Sequence, residues 1–208
     1  GVGLAVAFVY GQESFGRYKA IFDLCTKLWF LTSIFPLILY PRLKAMSISA
    51  EWADKLKSAL SKSLYIYLGV ALVGSVVAPT VLGKAFPALN FSGYLFPAVL
   101  FGVALYGHSR FGLEILQVHS STKVLVIIAF GFSITMLSVF WVLSALPLDL
   151  AVGVAWILAG VGFSISIDSS VLMLFRVSVR SRVLFSVKCL FVVVFCLCFL
   201  WSLFFKYI

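Results

Sequence analysis

Apolar residues fill the chain in six long runs, at about 17–40, 61–82, 93–117, 123–146, 150–175 and 183–205, with short polar connections between them. Each run has the roughly 20 residues that a helix needs to cross a bilayer's hydrocarbon core. A shorter apolar run, Gly1–Tyr10, precedes them and is interrupted by Gly11-Gln12-Glu13. It lacks the basic flank and small-residue cleavage site of a signal peptide, so it is expected to be a truncated membrane helix. The pattern predicts an all-α polytopic transmembrane bundle over residues 1–208, with six full spans and one truncated span.

The polar positions inside these runs carry the information. In the first full span, which follows a short turn with Gly16, Lys19, Asp23 and Lys27 recur every four residues and share one helical face. A lysine or aspartate near the bilayer centre costs roughly 2.5–3.5 kcal/mol, so this stripe is expected to face a protein interior or a wet cavity. Pro36 removes a backbone donor in the helix's second half, and Pro41-Arg42-Leu43 is expected to end it. In the polar connection 41–62, Ser49–Leu60 can form an amphipathic interfacial helix with Trp52, Leu56 and Leu60 on one face. The third span is the least uniformly apolar, with His108, Arg110 and Glu114 among Pro97, Gly102, Gly107 and Gly112. In the fifth, Ala151, Ala155 and Ala159 have a spacing that lets helix backbones approach closely, and Asp168 continues a Gly160-Ser164 stripe.

Composition agrees with lipid as the solvent. The chain is 63% hydrophobic and 11% charged, more apolar than a soluble fold of 208 residues can bury. Tyr40, Tyr65, Tyr67, Tyr94, Trp201 and Tyr207 lie near segment ends, where interfacial belts form. The net charge of +9 fits basic cytoplasmic loops and does not require nucleic acid as a partner. Most lysines and arginines fall in the connections 41–62, 118–123 and 176–182, which are assigned to the cytoplasm. The opposite connections hold Glu13, Lys84 and Asp149. Cys25, Cys189, Cys196 and Cys198 sit in apolar segments without ligand-like spacing and read as small hydrophobes. No metal site or cofactor is expected.

Each polar candidate has two readings. Lys19, Asp23 and Lys27 line a cavity, or they form an i,i+4 network that locks helices together. Lys19 can also snorkel to the interface. Arg110 and Glu114 neutralise each other, or Glu114 couples an ion to transport. His108 belongs to a residue type that changes charge near neutral pH, or it is a hydrogen-bonded core histidine. Asp168 ranks with Asp23 as a coupling carboxylate. Lys188 is close enough to the cytoplasmic end to snorkel, and Arg176, Arg180 and Arg182 set topology or bind lipid headgroups.

Several short motifs resemble one family. Gly16-Arg17-Tyr18 opens a span and Leu39-Tyr40-Pro41-Arg42-Leu43 closes it. Ala78-Pro79 precedes Gly83-Lys84-Ala85-Phe86, and Pro147 precedes Gly153-Val154-Ala155. Their order and spacing resemble the second half of polysaccharide (O-antigen and exopolysaccharide) flippases of the multidrug/oligosaccharidyl-lipid/polysaccharide exporter superfamily. The likeness covers about residues 3–175; the turn Gln117–Lys123 lacks the expected glycine and the last span diverges. The resemblance implies one lobe of a two-lobe transporter in the bacterial cytoplasmic membrane. Such a protein moves an undecaprenyl-diphosphate-linked oligosaccharide between leaflets by alternating access, driven by a proton or sodium gradient, alongside other polysaccharide-assembly membrane proteins. Lys19, Asp23, Lys27, His108 and Arg110 would line its cavity, and Asp23, Glu114 or Asp168 would couple the ion. Fixed cations there would offset the desolvation of a diphosphate.

An enzyme is not expected, because the chain has no GxSxG, HExxH or phosphate-cradling glycine loop. A glycan polymerase or ligase usually needs a large external loop, and the external connections here are short. A multidrug antiporter of the same superfamily is the nearer alternative, with acidic and aromatic cavity residues.

Overall fold

The computed structural model describes the backbone at residues 2–44, 50–87, 94–119 and 122–205, and side chains there except at 28–51, 122–125, 199–205 and positions 79, 128 and 197. The side chains of the closing motif Leu39–Leu43 and of Lys44, Lys123 and Trp201 fall outside that description, although the backbone of the motif is helical; Asn90 and Tyr207 fall outside it altogether. Six helices and no strand occur among the described residues: α1 (Val2–Lys44), α2 (Ala50–Ala85), α3 (Leu95–His119), α4 (Thr122–Val142), α5 (Leu148–Leu174) and α6 (Val179–Phe205). Two of them, α2 over Trp52–Ala85 and α5, are long and apolar enough to cross a membrane.

α1 is two arms joined at Gly11, whose φ of 86° and ψ of 173° belong to a backbone region open essentially to glycine alone. A Cβ built on Gly3 would lie 3.1 Å from the ring of Phe15. Twelve residues of straight helix would separate those positions by about 18 Å, so the chain folds back on itself at Gly11. The turn expected around Gly16 is therefore five residues earlier, and Gly16 is helical.

The expected interfacial helix at 49–60 is not a separate element among the described residues. It forms the first turns of the 36-residue α2, and its apolar stripe continues without a break. Leu56, Leu60, Leu64, Tyr67, Leu68 and Ala71 are all buried, while Asp54, Lys55, Ser58 and Lys62 are exposed. Such a helix is about 54 Å long, well beyond a hydrocarbon core of about 30 Å, so its charged first turns can extend past the apolar layer.

α3 is the central helix, packed against α5, α2 and α1. It is buried almost all round, which explains why the least uniformly apolar run contains it: its polar side chains meet protein rather than the outside. Small residues bring α3 and α5 together. A Cβ on Gly102 would come within 2.8 Å of the Trp156 carbonyl, one on Gly153 within 2.8 Å of Ala98, and one on Gly160 within 3.2 Å of the Gly102 carbonyl. Ala151, Ala155 and Ala159 are buried, as their spacing predicted. α6 lays Phe185, Cys189, Val193 and Cys196 inward and turns Leu184, Phe191 and Phe195 outward. Of the four free cysteines, Cys25, Cys189 and Cys196 are buried like other small apolar side chains, and Cys198 is exposed on α6.

The two ends of the bundle are distinguishable. At one end the Tyr10 hydroxyl lies 3.0 Å and 2.7 Å from the carbonyls of Ser144 and Leu146, and Arg17 Nη2 pairs with Asp149 Oδ2 at 3.1 Å. Asp149 stands in the first turn of α5, where a carboxylate also meets the positive end of the helix dipole. At the other end the His119 ring meets Phe175 edge-on at 5.9 Å. The connections near residues 11 and 143–147 thus share one end, and those following α3 and α5 share the other, as the charge pattern grouped them.

Candidate functional site

A groove opens where α1 and α4 make few contacts with each other. It holds a cavity of about 490 Å³ lined by the first arm of α1 (Val2–Leu4), by Phe15, Tyr18, Lys19, Phe22 and Asp23 of its second arm, and by residues of α4 and α5. A second cavity, of about 320 Å³, shares Phe22, Phe132, Ser133 and Trp156 with the first and continues toward Tyr106 and Phe163.

Aromatic rings form the wall that the two cavities share. Tyr18 stacks on Phe22 at 5.9 Å, and Phe22 leans on Trp156 at 5.3 Å. Trp156 Nε1 donates to the Tyr18 hydroxyl at 3.3 Å, which satisfies a buried indole donor. Phe132 contacts Phe163 at 4.8 Å and Tyr106 at 5.6 Å. The spacing in the sequence did not reveal this wall, because its rings come from α1, α3, α4 and α5. One signal was available: Trp156 falls inside the apolar run 150–175 rather than at its end, where tryptophan of an interfacial belt would sit.

On this apolar wall the charges are Lys19 and Asp23. Lys19 Nζ donates to Asp23 Oδ2 at 2.8 Å, and both side chains are about half exposed, at 56% and 49%. The i,i+4 spacing makes the pair and the helix face aims it at the hollow. Of the five residues expected to line a cavity, these two do so. Lys27 is exposed one turn beyond and lines neither hollow. Arg110 Nε and Glu114 Oε1 face each other at 3.7 Å on α3, and neither lines either cavity.

Of the two readings of His108, the hydrogen-bonded core histidine is the one found: it is fully buried at the junction of three helices and lines neither cavity. Its Nδ1 lies 3.1 Å from Ser63 Oγ of α2, and its Nε2 lies 3.1 Å from Asp168 Oδ2 of α5. The Asp168 side chain is 3% exposed, and its Oδ1 is buried without a hydrogen-bond partner among the described residues. The Gly160-Ser164-Asp168 stripe follows the face of α5 turned toward α3, which is why a carboxylate on it meets a histidine there. Ser63 was not singled out in the sequence. It is one of many serines, and its partner is 45 residues away.

No group of three or more His, Cys, Asp or Glu among the described residues could hold a metal ion. Comparison with known proteins finds no matching family model, curated protein or solved structure.

Proposed function

We propose that the chain is the second lobe of a lipid-linked oligosaccharide flippase, a multi-pass protein of the bacterial cytoplasmic membrane. It would carry an undecaprenyl-diphosphate-linked repeat unit from the inner to the outer leaflet by alternating access, using a proton or sodium gradient. In this reading all six helices are membrane helices. The apolar side chains exposed along α2, α4 and α6, among them Val73, Ile127, Phe130 and Phe191, meet lipid.

The observation that carries the reading is the Lys19–Asp23 pair on the wall of the groove. Two ionisable groups on an apolar span, within two turns of the Arg17–Asp149 end, are costly against acyl chains and useful beside a wet, charged cargo. Lys19 would meet the diphosphate, with Asp23 holding the ammonium until cargo replaces it. The aromatic wall would offer stacking surface to sugar rings and a greasy path to the polyprenyl chain. The motif resemblance described above supplies the cargo class.

In the full-length protein, deleting the gene should make lipid-linked repeat units accumulate on the inner leaflet. Single units accumulating on the outer leaflet instead would reject transport and favour a polymerase. The same wall favours a second reading, a multidrug antiporter, since Tyr18, Phe22, Phe132 and Trp156 beside Asp23 would also suit a cationic aromatic drug. Drug hypersensitivity with an intact surface glycan in the deletion strain would select that reading.

A further inference from the structure

We propose that the buried His108 and Asp168, with the half-buried Ser63, form a proton-binding site that clamps α2 onto α3 and α5 when it is loaded. The site is separate from the groove, since none of its residues lines either cavity. It stands whether the cargo is a glycan or a drug.

The physical reason is charge. With a neutral imidazole the cluster carries one negative charge, on a carboxylate 3% exposed whose second oxygen has no partner among the described residues. An uncompensated buried carboxylate is strongly disfavoured, and one added proton makes the cluster neutral overall. The geometry places that proton on the ring. An imidazolium needs two acceptors, and Ser63 Oγ and Asp168 Oδ2 stand 3.1 Å from its two nitrogens.

Loading also changes the role of Ser63. In the unloaded state its hydroxyl donates to His108 Nδ1. In the loaded state Nδ1–H donates to the hydroxyl oxygen, and the hydroxyl hydrogen must find another acceptor. The carbonyl one turn back in the helix is that acceptor for Ser75, Ser109, Ser166 and Ser170 in this fold, and Ala59 supplies it for Ser63. The proton is thereby tied to α2. In the unloaded state the buried charge is relieved by water entering between α2 and its neighbours, which loosens the clamp.

Among the described residues no lysine or arginine bonds either oxygen of Asp168. Tyr67 of α2 meets the His108 ring edge-on at 6.4 Å. Cys189 of α6 is near enough to Asp168 for the two to interact, with the exposed Lys188 beside it. On α3 itself Arg110 faces Glu114. From α1 the buried groups are Tyr18, which is bonded to Trp156, and Cys25. A sodium ion would need a cage of several oxygens, and His108 already occupies one carboxylate oxygen.

The test uses full-length protein in lipid nanodiscs with ¹⁵N-labelled histidine; the signal absent from His108→Gln identifies the residue. At pH 6 the His108 ring should show both nitrogens protonated, and at pH 9 that signature should be lost, equally in sodium and in choline buffer. In Asp168→Asn it should be absent at both. Nitroxides at the exposed positions 66 of α2 and 158 of α5 should give a distance distribution that broadens from pH 6 to pH 9 in the parent protein and does not change with pH in Asp168→Asn. A neutral His108 ring at pH 6 would overturn the proposal, as would a signature that depends on sodium or an α2–α5 distance indifferent to pH in the parent.

Discussion

Replacing His108 by leucine keeps most of the volume and removes the partner of Asp168. Oδ1 already lacks a partner, so the substitution leaves the whole carboxylate buried and unpaired. Breaking a buried ion pair from one side costs about 3–5 kcal/mol. An independent limit comes from protonation, since an ordinary aspartate can be neutralised at pH 7 for about 4 kcal/mol and at pH 5 for about 1.5 kcal/mol. The lost Ser63 contact adds less, since hydrogen bonds between membrane helices average about 0.6 kcal/mol. His108→Leu should therefore cost about 4 kcal/mol at pH 7 and about half that or less at pH 5. Asp168→Leu leaves a neutral imidazole and should cost about 1.5–3 kcal/mol, as a lost hydrogen bond to a charged group does. The double variant should return to within about 1 kcal/mol of the parent, because an apolar replacement of a buried pair is often neutral. The assay is denaturant unfolding of the full-length protein in bicelles, followed by tryptophan fluorescence at both pH values. Single costs under 1 kcal/mol that simply add in the double variant, with no pH effect, would refute the reasoning.

Other perturbations separate close packing from open space and test the groove. Gly102→Leu drives a side chain into the Trp156 backbone and should destabilise by about 1–3 kcal/mol or more, whereas Gly162→Ala enters open space and should be neutral or stabilise by up to about 1 kcal/mol; the same unfolding titration reads both. Arg17→Ala should cost on the order of 1 kcal/mol, and the exchange Arg17→Asp with Asp149→Arg should recover part of that loss, because this pair is only partly exposed. Cysteines at the exposed positions 54 and 58 should react with an impermeant reagent only from the cytoplasmic side; labelling from outside would invert the topology. Asp23→Asn in the full-length protein should abolish surface glycan without lowering membrane abundance, and Lys27→Ala should have a smaller effect, since Lys27 lies off the cavity wall.

Hydropathy made the helices readable, because twenty apolar residues in a row leave the backbone few alternatives to a helix. The ends of α3 to α6 differ from the expected spans by at most four residues, and the starts of α1 and α2 by more, where local chemistry decided. Gly11 rather than Gly16 makes the turn, because the angles at the turn are the ones only glycine reaches easily, whereas a second glycine can simply sit in the helix. The 49–60 segment and the following span share one stripe, from Leu56 through Leu64 to Ala71, so they join as one helix. At the site, i,i+4 spacing was enough to pair Lys19 with Asp23 and Arg110 with Glu114, because both partners lie on one helix. It could not pair His108 with Asp168, whose contact depends on how closely α3 and α5 approach through Gly102 and Gly160. For the same reason the aromatic wall was hidden, since no single helix carries more than two of its rings.

A lipid-linked glycan moving through the α1–α4 groove would pass within reach of a photo-crosslinker on its wall. Benzoylphenylalanine at Phe132, in full-length protein in cells making the lipid-linked repeat unit, should give an adduct carrying the glycan. The same probe at Val183, exposed on α6, should not. Equal glycan adducts at both positions, or none at Phe132 in active protein, would rule out the groove as the path of the glycan.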